Sequence, residues 1–161
     1  MVATESLAVV VSLEARGNNG FKKRQETMAS ELEKFANRYA QAWCSQSPER
    51  VASFYTETGS LSVNDDAPSV GRAAITEVAR GFMTAFPDMV VTMDRLVPKP
   101  HCVEFHWTLT GTNTGPEGTG NRVQISGCEE WQINADGLVA ESKGYFDAAE
   151  YERQLAQGVD A

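Results

Sequence analysis

The sequence predicts an α+β fold: a curved antiparallel sheet with helices packed on one face. Three observations carry this. Apolar residues recur at a helical period in the first half of the chain, at an alternating period from about residue 89 onward, and the 161 residues suit one domain with an arm. Hydrophobic residues make up 42% and charged residues 22%, ordinary globular values that exclude wholesale disorder, collagen-like and coiled-coil designs.

The elements follow in order. Residues 1–24 stand apart as an N-terminal arm, either mobile or docked on a partner. They hold the β-prone Leu7–Val11 and then Arg16-Gly17-Asn18-Asn19-Gly20, which reads as a linker. Met28, Leu32, Phe35, Ala36, Tyr39, Ala42 and Trp43 keep the i, i+3, i+4 rule of a helix ending near 45–47. Ser47-Pro48 restarts a short helix, with Ser as N-cap and Pro at its first position. Gly59–Val63 is a short strand and Asn64–Pro68 a turn. Gly71–Phe86 is a third helix stopped by Pro87. Strands follow at 89–97, 102–112, 122–133 and 138–146, the last two joined by Asn134-Ala135-Asp136-Gly137. A helix over 148–157 closes the chain, with Gly158 as its stop.

Charge narrows the partners. A formal net charge of -8 repels phosphate backbones and anionic membranes, and Lys22-Lys23-Arg24 is too short a basic run to offset it. The apolar run at 7–11 is far below the roughly 20 residues that span a bilayer, and residues 1–13 lack a basic start and a cleavage site. Three cysteines without a CxxC read as reduced thiols, so the expected location is the cytoplasm.

Strong catalytic motifs are absent: no GxGxxG, GxxxxGK[ST], HExxH or GxSxG occurs. Gly111–Gly115 lies between two strands rather than before a helix, so it is no phosphate cradle. His101 sits in a turn. His106 and Trp107 point to opposite faces of a strand, and the sequence shows no ligand spacing around His106, so no metal is expected. His106 is read as facing solvent or a subunit contact, with an acid/base role as the rival.

Two carboxylates merit weight. Glu129 shares a strand face with Trp131; if Trp131 is inside, burial raises the Glu129 pKa and suits it to proton transfer, against a plain ion-paired strand glutamate. Asp147 follows Tyr145-Phe146 at a strand end and is the first acid/base candidate, but Asp147-Ala148-Ala149-Glu150 is also a capping box. Tyr39, Trp43, Tyr55, Phe82, Phe86, Trp107, Trp131 and Tyr145 are the aromatic candidates for lining a ligand pocket, with Tyr39 or Tyr55 as hydrogen-bond donor; core packing is the competing reading for most.

Phe86-Pro87-Asp88-Met89, His106–Gly115, Asp136–Glu141, Phe146-Asp147 and Arg153-Gln154-Leu155 together resemble the SnoaL-like polyketide cyclase family, within the nuclear-transport-factor-2-like superfamily. The resemblance spans about residues 28–158. It implies a cone-shaped sheet around helices, a pocket in the cone, frequent homodimers, and cofactor- and metal-free aldol ring closure with an acidic residue handling protons, matched here to Asp147. Family members often read Glu-His-Trp on the last strand where this chain has Glu141-Ser142-Lys143, and the loop after Gly115 is shorter than usual. The expected function is therefore a cyclase or isomerase acting on an apolar carbonyl-bearing molecule. The alternatives are a non-catalytic binding protein of the same fold, or a scaffold docked through its arm.

Overall fold

The structure, a computed structural model, describes residues 2–160, with side chains described from residue 19. The chain forms two compact units, residues 1–35 and 36–161. Helix α1 spans Val2–Cys44. Residues 7–11 are therefore helical rather than extended, and 16–20 are helical rather than a linker. Propensity is a weak prior, and the Gly-Asn cluster does not break this helix.

The second unit carries the remaining elements. Helix α2 is Pro48–Ala52, β1 is Tyr55–Val63, β2 is Ser69–Val70 and α3 is Arg72–Ala85. Strands β3 (Val90–Pro98), β4 (Val103–Thr112), β5 (Arg122–Ile133) and β6 (Val139–Phe146) follow, then α4 (Ala148–Gln157). The two-residue β2, which follows the turn after β1, carries no sequence signal of its own. Gly71 stands at the N-cap of α3, and its φ of 91° lies in the region that glycine tolerates.

All six strands form one sheet in the order β2-β1-β6-β5-β4-β3. It is mixed rather than purely antiparallel. The meander β3–β6 pairs antiparallel as its hairpins require, but β1 runs parallel to β6, with Leu61 opposite Ser142. The helix α3 and strands β3–β5 intervene between these partners, the long connection that a parallel pair needs. Bulges at Asp94 in β3, between Met93 and Arg95, and at Ala140 in β6, opposite Gln132 and Ile133, bend the sheet.

Alternation sorts the β5 side chains: Val123, Ile125, Glu129 and Trp131 are buried, while Gln124 and Ser126 are exposed. Helix α3 packs on β1 and β2, and α4 on β5. The core centres on Tyr39, Tyr55, Phe105 and Trp131, all fully buried. Phe105 stacks on Trp131 at 4.8 Å, and the edge of Tyr39 meets both rings at 5.5 and 5.1 Å. Such pairs each add roughly 0.5–1.5 kcal/mol beyond area burial.

Candidate active site

A carboxylate stands inside this aromatic core. Strand β5 turns Glu129 inward beside Trp131, and the residue is only 7% exposed. Four donors reach one oxygen, Oε1. Ser142 Oγ approaches at 2.6 Å from β6, Tyr39 Oη at 2.8 Å from α1, Tyr55 Oη at 3.3 Å from β1, and Trp131 Nε1 at 3.3 Å from β5 itself. Tyr39 and Tyr55 are also 2.8 Å apart, so one phenol can donate to the other while the second donates to the carboxylate.

The other oxygen, Oε2, accepts no hydrogen bond among the described residues. Yet no fully buried side-chain oxygen or nitrogen there is left without a partner. Oε2 is therefore the oxygen with open space in front of it, and Glu129 lines a cavity.

Burial pushes the Glu129 pKa up, and the hydrogen bonds from Ser142, Tyr39, Trp131 and Tyr55 pull it down; burial wins. Burial, and after it the charge of Glu129, drives both tyrosines well above the ordinary phenol value, so they stay protonated donors.

The cavity measures about 70 Å³. Trp43 of α1 and Val78 and Phe82 of α3 line it, with Leu61 and Val63 of β1. The sheet adds Val91, Trp107, Leu109, Ile125, Gly144 and Phe146, and Tyr151 comes from α4. Gly127 matters here because a Cβ on it would strike the Trp107 ring. Among the described residues, Glu129 is the only carboxylate on this wall. Leu61, Val63, Val78, Phe82 and Tyr151 also line an adjoining groove that reaches Asp66, Ser69 and Glu77, so cavity and groove share a wall.

The aromatic candidates divide by position. Trp43, Phe82 and Trp107 line the cavity. Tyr39, Tyr55 and Trp131 lie behind it as partners of Glu129. Phe86 is core, packed on Tyr151 and under Gly111. Tyr145 is 43% exposed and away from the cavity. Asp147 is exposed, caps α4 by accepting from Glu150 N at 3.0 Å, and does not line the cavity. The acid/base candidacy thus passes from Asp147 to Glu129.

The sequence marks Ser142 only as a departure from the family's Glu-His-Trp, and it assigns Tyr151 no role. The signal for Ser142 was its place on β6 opposite Trp131, visible only once the β5–β6 register is known. Tyr151 could have been read from the face of α4 that it shares with Ala148 and Leu155.

These features match a known group. The chain belongs to the SnoaL-like polyketide cyclase family, whose model matches residues 33–155. No curated protein sequence is significantly similar to it. Among solved structures, it resembles AclR, a putative hydroxylase from Streptomyces galilaeus, with 20% identity, TM-score 0.67, and coverage of 82% of this chain and 85% of that one. It also resembles the epoxide hydrolase/cyclase-like enzyme SalBIII of pyran ring formation in salinomycin, with 15% identity, TM-score 0.65, and coverage of 76% and 95%. A putative SnoaL-like polyketide cyclase from Jannaschia aligns at 16% identity, TM-score 0.59, over 69% of this chain and 80% of that one. At these identities the likeness establishes the fold, which is that of the ketosteroid isomerase-like and nuclear-transport-factor-2-like proteins.

Proposed function

We propose that this chain is a cyclase or isomerase that moves a proton within an apolar, carbonyl-bearing, polyketide-like molecule, with Glu129 as its acid/base group. The observation that carries this is a buried carboxylate with one oxygen anchored by donors and the other open to an apolar cavity. Oε2 takes a proton from the carbon next to the substrate carbonyl, and the electron pair moves onto the carbonyl oxygen as an enolate. In ring closure the enolate carbon attacks a second carbonyl, whose oxygen takes the proton back from Glu129; in isomerisation the enolate is conjugated to a C=C bond and Glu129 returns the proton to the far carbon of that system. Ring closure and isomerisation share this first step.

The enolate oxygen needs a donor. Tyr39 and Tyr55 were the first candidates, but their protons serve Glu129 and each other. Trp107 and Tyr151 line the cavity, the indole N–H and the hydroxyl make no hydrogen bond among the described residues, and we assign them this role instead. About 70 Å³ holds the reactive end of a ligand rather than a whole ring system, whose usual pockets run to several hundred Å³. The remainder extends along the groove past Phe82 toward Ser69 and Glu77. The same reading makes the protein a cytoplasmic homodimer with residues 1–24 as an arm.

The test is a panel of ring-closing and isomerising carbonyl substrates. E129Q should lose about 100-fold or more in kcat while keeping its fold, the usual scale for a general acid/base. D147N should keep wild-type rates, because Asn also caps a helix. Full activity in a folded E129Q variant would remove Glu129 from the reaction. A second reading, a binding protein without turnover, is favoured by Ser142 standing where family members often carry histidine. It predicts a ligand that co-purifies and is released chemically unchanged.

A further inference from the structure

On the opposite face of the sheet, β4 and β5 bring three different ligand types together. Phe105 and Glu129 point inward, so their neighbours Glu104, His106 and Cys128 point outward. His106 and Cys128 are directly opposed register partners on adjacent strands. His106 Nε2 lies 3.2 Å from Glu104 Oε1 and 3.9 Å from Cys128 Sγ, and all three donor atoms fall within 4.8 Å of one another. Each residue is half-buried.

We propose that Glu104, His106 and Cys128 form a site for a zinc-class divalent cation, separate from the cavity. Zinc bound tetrahedrally to nitrogen, oxygen and sulfur at about 2.0–2.3 Å sets its ligand atoms roughly 3.4–3.6 Å apart. The two separations from His106 bracket that spacing and the Glu104–Cys128 pair lies within 4.8 Å, so side-chain rotations about the fixed strands close the site. One sulfur, one imidazole and one carboxylate form a borderline donor set that suits zinc better than calcium or magnesium, which take oxygen.

Lys99 Nζ holds the second carboxylate oxygen, Oε2 of Glu104, at 2.8 Å. That contact leaves Oε1 turned to His106, the orienting role that outer groups play around metal ligands. Two rigid paired strands fix the His–Cys pair, and the formal charge of -8 favours cations. Binding replaces the thiol proton by the metal: Cys–SH and M²⁺ give Cys–S–M and a released H⁺, while His106 ligates through Nε2 with its proton on Nδ1. A water fills the fourth position.

Cobalt(II) is the probe, because thiolate-bound cobalt absorbs in the near ultraviolet and four-coordinate cobalt absorbs strongly in the visible. Titration of the full chain should give one site with both features, displaced by zinc. C128S should lose the near-ultraviolet band, and H106A should weaken binding by at least about tenfold, since even second-shell losses reach that scale. A C44S/C102S variant should keep the band, which assigns the sulfur without disturbing the site, and E129Q should bind unchanged. Absence of the thiolate band in the wild-type chain would overturn the proposal, as would cobalt binding that persists undiminished in a folded H106A/C128S double variant.

Discussion

Glu129 sits between opposing forces that a single strand pattern could only half reveal. Its alternation with Trp131 placed a carboxylate on the inward face. The four donors on Oε1 come from α1, β1, β5 and β6, and nothing in sequence spacing brings those together. Only sheet pairing does. The pKa shift has a consequence for stability. Because the folded carboxyl has a raised pKa, the folded protein holds its proton more tightly than the unfolded chain. The resulting stabilisation is fully present below the unfolded value near 4.3 and is lost as pH rises through the raised value. Thermal melts should therefore show wild type losing stability relative to E129Q as pH rises across that interval. Parallel melting curves for the two proteins would show that Glu129 titrates normally. Glu150 has the opposite sign. Hydrogen bonds from Arg153, then Gln154, hold it at about 2, so its contribution is present above the ordinary carboxyl range and fades as pH falls toward that value.

Elements explain why the architecture was easier to read than the chemistry. The residues that carried the family resemblance build a junction. Phe86 at the end of α3 lies under Gly111, and Asp88 accepts from both Thr112 N at 2.7 Å and Thr112 Oγ1 at 2.8 Å. Gly115 N and Asn113 Nδ2 both donate to Ala85 O. A Cβ at Gly115 would run into the Thr84 backbone carbonyl. G115A should thus destabilise the protein by about 1–3 kcal/mol, the scale of overpacking, measured by denaturant unfolding. A change within a few tenths would mean that the junction is pliable. Asp147 belongs to this structural class too, since its capping spacing is local and fully legible. Besides the short β2, two larger features escaped sequence logic. The parallel β1–β6 pair depends on contacts between distant segments, and α1 continues through Gly17–Gly20 against intrinsic propensity.

For the molecule as a whole, composition argued against some partners and named no substrate. Its acidity disfavoured nucleic acids and anionic surfaces, and among the described residues no helix is long and apolar enough to cross a membrane. The sheet does two separate things with its faces. Inward, it buries one carboxylate at the wall of an apolar cavity. Outward, it gathers a carboxylate, an imidazole and a thiol. One fold can carry many reactions, so the functional reading rests on the state of the inward group. The most direct measurement is a carbon-13 NMR titration of the Glu129 side-chain carboxyl, assigned by its loss in E129Q. The account predicts a midpoint above the ordinary glutamate value of about 4.3. A midpoint at or below that value would mean that the hydrogen bonds outweigh burial, leaving a fixed carboxylate unsuited to trading protons near neutral pH.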